Sequence, residues 1–448
     1  MPRISYSVIS KNRIDNFNKT IEVDSDKSIS IRAFLIGSIS QGVSEVKNIL
    51  ESDDVFSTIN CLKKLGIKIK KTRKKNYIIY GKGLGSLSAK KNTKLDCGNS
   101  GTLARLLVGI LSTTPNINIK ITGDKSLKKR NMSKLIDLMS RFGADFKKNK
   151  SYLPVNIISS SMPLGIVYKS GVSAQLKSAV ILAGLNSYGF TKVEEKGENR
   201  SRNHTENLLL KSPGVLKIKK NEIKVFGKTP LEPLKLSVPG DPSSAAFFCA
   251  ITIFSKKSSL KIKNICLNPR RLGFYKILKK HGAKIKFKNI KKSFNETIGD
   301  VHIKSGGKIK PIKANSSYYP STADEYVILA VCAAMIPGVS IFKGISDLSN
   351  KESSRAHEMK KILGQIGIKC KLSKNEMKIF GSKNIKIKNK TIRVSNLLDH
   401  RICMATICLS LLTGIKSFVK NFETVDTSSP SFLKIIKLIG GKYEIEKE

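Results

Sequence analysis

The sequence lacks the features that mark several classes of protein. Its eight cysteines form no C-x-x-C pair, and His400 and Cys403 offer only two neighbouring ligands, so we expect no metal site and a reducing compartment. The N-terminal residues are polar and charged where a signal peptide needs an apolar core. Apolar runs such as residues 245–254 are too short to span a membrane. We therefore expect a cytoplasmic protein without a membrane partner.

Acidic residues and arginine are also scarce. The 448 residues include 82 Lys and Arg but only 33 Asp and Glu, which gives a net charge of +49, and only 14 of the basic residues are arginine. On charge alone, nucleic-acid binding through phosphates stays an alternative. The lysine clusters at 68–75, 284–292 and 383–390 fall where strands and turns are expected, without the aromatic pattern of an RNA-recognition module. We expect the lysine excess to be a compositional bias and expect no nucleic-acid partner.

A short phrase recurs six times, in which an apolar residue and a glycine precede mostly alternating apolar and basic residues. Its glycines are separated by 77, 71, 68, 85 and 73 residues, close to one sixth of the chain. A glycine after a helix-like stretch is typical of a helix C-cap, and the alternation predicts a strand. The pattern therefore predicts six helix-to-strand corners, at Gly66, Gly143, Gly214, Gly282, Gly367 and Gly440.

A second series of six apolar segments, each with a small polar first turn, interleaves with the first. The segments begin at residues 26, 98, 172, 240, 321 and 399. Helices that are apolar all round are buried, and their N-termini favour anions. Ordinary N-capping explains the small polar residues. It does not require the other polar side chains found in the same turns, which are Lys27, Arg32, Arg105, Gln175, Asp324, His400 and Arg401.

The positions of the few arginines are informative because only arginine presents a planar fork to phosphate or carboxylate. Six of them lie in polar phrases, and the chain has neither a Walker phosphate loop nor G-x-G-x-x-G after a strand. This pattern favours small polyanionic substrates over a nucleotide. Asp324 or Glu325, and Glu352, are candidates for acid and base chemistry. The alternative for Glu352 is a solvated salt bridge.

The polar phrases, taken in order, resemble the motifs of the EPSP synthase family, the 3-phosphoshikimate 1-carboxyvinyltransferases, in its class II branch. The phrases span about residues 21 to 440 and read DKSISIRA, DCGNSGTLARLL, TGDKSLKKRNM, VSAQLKSAVILAGL, SRNHTE, VPGDPSSAAFF, DEYVILA, NKESSR and LLDHRICM. The resemblance implies a two-domain inside-out α/β fold with six βαβαββ repeats, three per domain. It places one domain at 1–24 plus 240–448 and an inserted domain at 25–239, with hinges near 24–25 and 239–241.

The resemblance also implies an activity and a set of roles. The family transfers the enolpyruvyl group of phosphoenolpyruvate to the 5-hydroxyl of shikimate 3-phosphate and needs no cofactor. The implied catalytic residues are Asp324, Glu352 and Lys27. Those implied to bind shikimate 3-phosphate are Lys27, Ser28, Arg32, Ser173, Ala174, Gln175, Arg202, Asp324 and Lys351. Those implied to bind phosphoenolpyruvate are Lys27, Gly101, Arg130, Gln175, Arg355 and Arg401.

Two further expectations follow from the resemblance. The protein should be a monomer. Gly101 should leave room for the inhibitor glyphosate, because resistant members often have Ala at the matching position. The alternative within the same fold is a UDP-N-acetylglucosamine 1-carboxyvinyltransferase. Those enzymes use a catalytic cysteine in a mobile loop, and the matching loop here, residues 123–132, has none.

Overall fold

The computed structural model describes residues 5–147, 151–197, 200–382, 391–395 and 397–447. The third lysine cluster, 383–390, lies outside these residues. By internal contacts the chain divides into unit 1 (Met1–Asp24, Gly240–Lys291 and Thr297–Glu448) and unit 2 (Ser25–Pro239 and Lys292–Glu296). The hinges predicted near residues 24–25 and 239–241 stay predictions. Among the described residues, every helix is too short or too polar to cross a membrane.

The described residues form strands and helices in regular alternation. The strands are β1 (Tyr6–Ser10), β2 (Asn18–Ile21), β3 (Gln41–Lys47), β4 (Lys68–Arg73), β5 (Asn76–Lys82), β6 (Lys94–Asp96), β7 (Asn118–Thr122), β8 (Asp145–Lys147), β9 (Val155–Ile158), β10 (Val167–Ser170), β11 (Phe190–Glu195), β12 (Leu216–Lys219), β13 (Glu222–Phe226), β14 (Lys235–Ser237), β15 (Ser259–Cys266), β16 (Lys284–Ser293), β17 (Glu296–Lys304), β18 (Lys313–Ala314), β19 (Gly338–Lys343), β20 (Lys369–Leu372), β21 (Glu376–Gly381), β22 (Thr391–Val394), β23 (Lys416–Val419) and β24 (Tyr443–Lys447). The helices are α1 (Lys27–Ile39), α2 (Asp53–Lys64), α3 (Gly101–Thr113), α4 (Lys125–Lys128), α5 (Ser133–Ser140), α6 (Ala174–Gly184), α7 (His204–Leu209), α8 (Pro242–Phe254), α9 (Gly273–Lys280), α10 (Tyr319–Thr322), α11 (Tyr326–Ala334), α12 (Arg355–Gln365), α13 (His400–Thr413) and α14 (Phe432–Leu438).

The strands pair into six four-stranded sheets with one shared topology. Unit 2 contains the orders β14-β3-β5-β4, β6-β7-β9-β8 and β10-β11-β13-β12, and unit 1 contains β2-β15-β17-β16, β18-β19-β21-β20 and β22-β23-β1-β24. In each sheet the first two strands of the order are parallel, for example β6 with β7. The last two strands are antiparallel neighbours, for example β9 with β8 and β1 with β24. The predicted six βαβαββ units, three in each half of the molecule, are therefore confirmed.

Three of the six sheets are not built from one continuous segment. The sheet that follows α1 takes its first strand, β14, from residues near the end of the inserted segment. The N-terminal residues supply β2 to the sheet of α8 and β1 to the sheet of α13. The sequence repeats did not reveal these exchanges, because the borrowed strands are only 3 to 5 residues long.

The six predicted helix-to-strand corners are confirmed. All six glycines have positive φ, between 76° and 108°, where a side chain would be strained and glycine is not. Five of them lie two or three residues after the ends of α2, α5, α9, α12 and α14, and the sixth, Gly214, lies five residues after the end of α7. Each glycine leads into the next strand, so it fixes the direction of the antiparallel hairpin that follows.

The central helices of the repeats are buried, as their composition predicts. They are α1, α3 and α6 in unit 2 and α8, α11 and α13 in unit 1, and most of their residues are inaccessible to solvent. The packing of α3 on α6 is close, because a Cβ at Gly109 would lie 2.5 Å from the carbonyl oxygen of Ala179. Five of the six start at an N-cap whose side chain accepts a backbone N–H: Asp26, Ser100, Ser173, Asp241 and Asp399.

The sixth central helix starts later than its pattern predicts. Residues 319–322 form the separate short helix α10, and α11 begins only at Tyr326. Asp324 and Glu325 lie in the turn between these helices, and Glu325 makes no side-chain capping hydrogen bond. The turn leaves Asp324 partly exposed, whereas Glu325 is buried.

Candidate active site

In unit 1, Arg355 connects the N-termini of two helices. It is the first residue of α12, and its side chain is 1% exposed. Its Nε donates to Asp399 Oδ2 at 3.0 Å and its Nη2 donates to Asp399 Oδ1 at 3.2 Å. Asp399 also accepts the backbone N–H of Arg401 as the N-cap of α13. The guanidinium fork therefore fixes the start of α12 against the start of α13.

The same guanidinium holds two further carboxylates that the sequence identified as acid and base candidates. Nη2 of Arg355 donates to Glu352 Oε2 at 2.6 Å, and Nη1 lies 3.5 Å from Asp324 Oδ1. Burial alone would lower the pKa of Arg355, but the carboxylates of Asp399, Glu352 and Asp324 outweigh it and raise the pKa. Arg355 is therefore a permanent cation that orients both candidate carboxylates.

Lys351 lies next to this cluster. Its Nζ is 3.1 Å from Asp347 Oδ2, and the hydroxyl of Tyr319 donates to the same carboxylate oxygen at 2.9 Å. Burial and the neighbouring Asp347 raise the pKa of Tyr319, so its hydroxyl stays protonated. The Lys351 side chain is 25% exposed, which leaves its ammonium accessible to a ligand.

Arg401 contrasts with Arg355. It lies in the first turn of α13 and is 5% exposed. Its Nε and Nη1 are buried and have no hydrogen-bond partner in the part of the chain that the structure describes. A buried guanidinium with unused donors is costly unless an acceptor arrives with a ligand. The neighbouring His400 is also buried, and among the described residues no third metal-ligating group joins His400 and Cys403.

In unit 2, the start of α1 carries Lys27, Ser28 and Arg32. Lys27 Nζ donates to Asp54 Oδ2 at 3.0 Å, and the two side chains are 16% and 5% exposed. Arg32 Nη1 donates to the carbonyl oxygen of Ser28 at 3.0 Å. This bond spans one helical turn, so it orients the Arg32 guanidinium along the same face as the N-terminus of α1.

The start of α3 lies against the start of α6. Arg105 Nη1 donates to Gln175 Oε1 at 2.9 Å, and Gln175 Nε2 donates to Thr102 Oγ1 at 3.0 Å. A Cβ at Gly101 would lie 2.7 Å from Arg105 Nη1 and 2.9 Å from Arg130 Nη1. Gly101 therefore lets two guanidinium groups approach the helix N-terminus from the same side.

Arg130 and the start of α6 complete the predicted set in unit 2. Arg130 is 9% exposed, and its Nη2 donates to Asn99 Oδ1 at 2.5 Å. Ser173 is the N-cap of α6 and accepts from Leu176 N, and Ala174 begins the helix. Arg202 is partly buried and lies between Ser201 and α7.

The structure thus collects the predicted residues into one cluster in unit 1 and a set of helix starts in unit 2. A cavity of about 600 Å³ in unit 2 opens beside Gly98 and Asp124, and none of the predicted residues lines it. The residues predicted from the sequence do not include Asp399, Asp54 or Lys177. Asp399 and Lys177 lie inside the phrases LLDHRICM and VSAQLKSAVILAGL, but only the fold shows which side chains they pair with.

Comparisons with known proteins agree with this arrangement. A family model described as EPSP synthase (3-phosphoshikimate 1-carboxyvinyltransferase) matches residues 11–436. The 3-phosphoshikimate 1-carboxyvinyltransferase of Petrotoga mobilis is 37% identical over 429 residues, which cover 95% of this chain and 98% of that protein. The enzyme of the same name from Paramagnetospirillum magneticum is 35% identical over 427 residues, which cover 94% of each.

A solved structure supports the fold as well. The EPSP synthase of Acinetobacter baumannii superposes with a TM-score of 0.84 at 30% identity and covers 99% of this chain and 100% of that chain. The predicted fold class, an α/β fold of six repeats, is confirmed. The residue roles implied by the resemblance stay predictions.

Proposed function

The chain belongs to the EPSP synthase family, and from this premise we propose that it transfers the enolpyruvyl group of phosphoenolpyruvate to the 5-hydroxyl of shikimate 3-phosphate. The products are 5-enolpyruvylshikimate 3-phosphate and inorganic phosphate, in the pathway to aromatic amino acids. The family match favours neither the UDP-N-acetylglucosamine enzyme nor a nucleic-acid-binding protein. A monomeric state and a cytoplasmic location stay predictions.

The observation that carries this proposal beyond the family match is the buried Arg401. Its Nε and Nη1 have no hydrogen-bond partner among the described residues. Both proposed substrates carry a phosphate and a carboxylate, and either group accepts two N–H bonds from one guanidinium. An anion bound there satisfies donors that otherwise lower stability by about 1–3 kcal/mol.

We assign the binding residues as the family motif places them. In unit 2, Lys27, Ser28, Arg32, Ser173, Ala174, Gln175 and Arg202 bind shikimate 3-phosphate, and Lys27, Gly101, Arg130 and Gln175 bind phosphoenolpyruvate. In unit 1, Asp324 and Lys351 contact shikimate 3-phosphate, and Arg355 and Arg401 contact phosphoenolpyruvate. The helix N-termini and N-caps near these residues support the assignment, because free N–H groups and the helix dipole favour anions.

The chemistry proceeds by addition and elimination. Asp324 takes the proton of the 5-hydroxyl while that oxygen bonds to C2 of phosphoenolpyruvate, and Glu352 gives a proton to C3. The result is a tetrahedral ketal phosphate. Loss of a proton from C3 then restores the double bond as the C2–O bond to phosphate breaks. Arg355 supports these steps because it holds both carboxylates in fixed orientations.

A phosphate-release assay tests the proposal. The wild-type chain should release phosphate from phosphoenolpyruvate when shikimate 3-phosphate is present and not when UDP-N-acetylglucosamine replaces it. Asp324→Asn and Glu352→Gln should each lower kcat about 10²–10⁴-fold, the usual contribution of a proton-transfer group.

Glu358→Gln is the matched control for Glu352→Gln. Glu358 also lies in the first turn of α12, but it pairs with Lys361 at 2.9 Å on the surface. Its replacement should leave kcat unchanged. Normal turnover in both Asp324→Asn and Glu352→Gln would contradict the catalytic roles, and absence of turnover in the wild type would contradict the reaction itself.

A further inference from the structure

Lys177 is a fully buried lysine in the first turn of α6. Its side chain is 0% exposed, and lysine is almost never fully buried unless it is paired. The proposed reaction assigns it no role. Its position therefore needs a separate explanation.

The Lys177 ammonium binds oxygen atoms from three segments of unit 2. Nζ lies 2.8 Å from Glu195 Oε1 at the end of β11 and 2.7 Å from Glu206 Oε1 in α7. It also donates to the carbonyl oxygen of Ser201 at 3.3 Å. The contacts with Glu195 and Ser201 are hydrogen bonds, and the contact with Glu206 is an ion pair. The Lys177 ammonium is therefore enclosed by protein oxygen atoms and is not exposed to a substrate.

The next residue on α6 extends the same connection to Arg32. Ser178 Oγ accepts from Arg32 Nη2 at 3.0 Å and from Thr205 Oγ1 at 2.8 Å. Thr205 Oγ1 in turn accepts from Arg32 Nε at 2.8 Å. Residues 177 and 178 thus attach both Arg32 and the segment 201–206 to α6.

We propose that Lys177 is a positioning residue for shikimate 3-phosphate. Its contacts with Glu195, Glu206 and the Ser201 carbonyl oxygen fix the position of the segment 201–206, which contains Arg202. This inference rests on the proposed function.

Arg32, Arg202 and the start of α6 are among the unit 2 groups assigned to shikimate 3-phosphate. Lys177 and Ser178 lie on α6 and contact Arg32 and the segment 201–206 that contains Arg202. Gly101 and Arg130, assigned to phosphoenolpyruvate, lie on other elements.

The buried charges around Lys177 explain why its removal should move the segment 201–206. Glu195 and Glu206 are 4% and 1% exposed, so removal of Lys177 leaves two buried carboxylates without their cation. The carboxylates then separate or take up water, and the segment 201–206 moves with them. A displacement of about 1 Å in a substrate-binding group costs up to about 10²-fold in binding or rate.

The experiment compares Lys177→Met, Lys177→Arg and the control Tyr77→Phe in the full-length chain. Tyr77 is 5% exposed in β5, and its hydroxyl donates to Glu51 at 2.9 Å, so its variant also loses a buried polar contact. Calorimetry gives Kd for shikimate 3-phosphate, and steady-state kinetics give KM for each substrate. Lys177→Met should raise the shikimate 3-phosphate Kd about tenfold or more and change the phosphoenolpyruvate KM less than about threefold.

The two other variants make the result specific. Lys177→Arg keeps the cation and should restore most of the shikimate 3-phosphate affinity, whereas Tyr77→Phe should leave both KM values unchanged. If Lys177→Met fails to fold, Glu195→Gln replaces it, because Lys177 then keeps Glu206 and the expected shift has the same sign. An unchanged shikimate 3-phosphate Kd in a folded variant would overturn the inference.

A substrate-free measurement separates this inference from the proposed function. Hydrogen exchange of the amides in 201–206 should be faster in Lys177→Met than in Tyr77→Phe. Equal exchange would overturn the positioning role even in an active enzyme. Faster exchange in a chain that has no transferase activity would instead contradict the proposed function and leave the hold on this segment supported.

Discussion

A buried arginine lies at the start of α12 and another at the start of α13, both in unit 1, and the two differ in their protein partners. Arg355 is 1% exposed, and its Nε and Nη2 donate hydrogen bonds to Asp399 and Glu352. Its Nη1 makes no hydrogen bond to any described residue, but it lies 3.5 Å from the Asp324 carboxylate. Arg401 is 5% exposed, and Nε and Nη1 have no partner within the described ranges. A neutralised buried cation orients the groups around it, whereas an unneutralised one is suited to an incoming anion. The two arginines of unit 1 that are predicted to contact phosphoenolpyruvate therefore differ in kind.

Lys177 in unit 2 belongs with Arg355 on this criterion. Both are fully buried, and both have carboxylate partners from separate elements. The sequence does not show which carboxylates pair with Lys177 or Arg355, because each is only one of 82 basic residues. If carboxylate partners, rather than the position at a helix start, determine the role of a buried cation, then replacing a paired cation should lower stability and replacing an unpaired one should lower substrate affinity.

The largest effect is expected from Arg355→Met. The substitution leaves Asp399, Glu352 and Asp324 without their shared cation, and breaking a buried pair in this way costs about 3–5 kcal/mol of unfolding free energy. Urea denaturation measures the loss. Arg393→Met is the matched control, because Arg393 is exposed on β22 over the Phe418 ring, and it should cost less than about 0.5 kcal/mol. Equal losses would remove the distinction between the two kinds of arginine.

A smaller effect, confined to function, is expected from Gly101→Ala. The added methyl would lie 2.7 Å from Arg105 Nη1 and 2.9 Å from Arg130 Nη1, and these flexible side-chain ends can move away at low cost. The phosphoenolpyruvate KM and the glyphosate inhibition constant should each rise about tenfold, with the melting temperature nearly unchanged.

Gly364→Ala is the control for this prediction. A Cβ at Gly364 in α12 meets no atom within 4 Å, so both constants should stay as in the wild type. A wild-type glyphosate inhibition constant already in the millimolar range would contradict the open space assigned to Gly101.

The smallest effect is expected at a partly exposed ion pair, Glu51 with Lys71. Burial raises the pKa of Glu51, but hydrogen bonds from Lys71, from the backbone N–H of Lys75 and from Tyr77 outweigh it and lower the pKa below 4.5. Its stabilisation is present above pH 4.5 and is lost as the pH falls through the lowered folded-state value. Glu51→Gln should therefore cost at most about 1 kcal/mol at pH 7.

The pH dependence of that cost is the measurement. Thermal unfolding at pH 7 and pH 3 should show a difference between wild type and Glu51→Gln that shrinks at the lower pH. Glu232→Gln provides the baseline, because Glu232 and Lys211 are both 50% exposed and 3.9 Å apart. A difference that grows in acid would contradict the lowered pKa of Glu51.

Much of the fold could be predicted because its signals are local. Each corner glycine, such as Gly66 or Gly282, is required by a backbone conformation at that one position, and each buried helix has a composition that shows its burial. The exchange of β1, β2 and β14 between sheets could not be predicted, because strand pairing depends on contacts far apart in sequence. The break between α10 and α11 could not be predicted, because residues 321–334 have the pattern of one helix with a polar first turn followed by apolar residues.

For the site, the sequence identified the residues but not their partners. Asp324, Glu352 and Arg355 were singled out from their phrases, and the structure brings all three together. Asp399 is the capping residue of α13, so its phrase reads as ordinary capping. Asp399 also pairs with Arg355, but the two residues are 44 positions apart. Only the folded structure therefore shows this contact.

Arg401 provides the most direct test of the account. In the phosphate-release assay with shikimate 3-phosphate and phosphoenolpyruvate, Arg401→Gln should raise the phosphoenolpyruvate KM about 10- to 100-fold, which corresponds to the about 1.5–3 kcal/mol of a hydrogen bond to a charged group. The shikimate 3-phosphate KM and the unfolding free energy should change little, because the Nε and Nη1 donors have no protein partner in the described residues. An unchanged phosphoenolpyruvate KM, or a loss of stability as large as that of Arg355→Met, would contradict the claim that this buried cation serves the substrate.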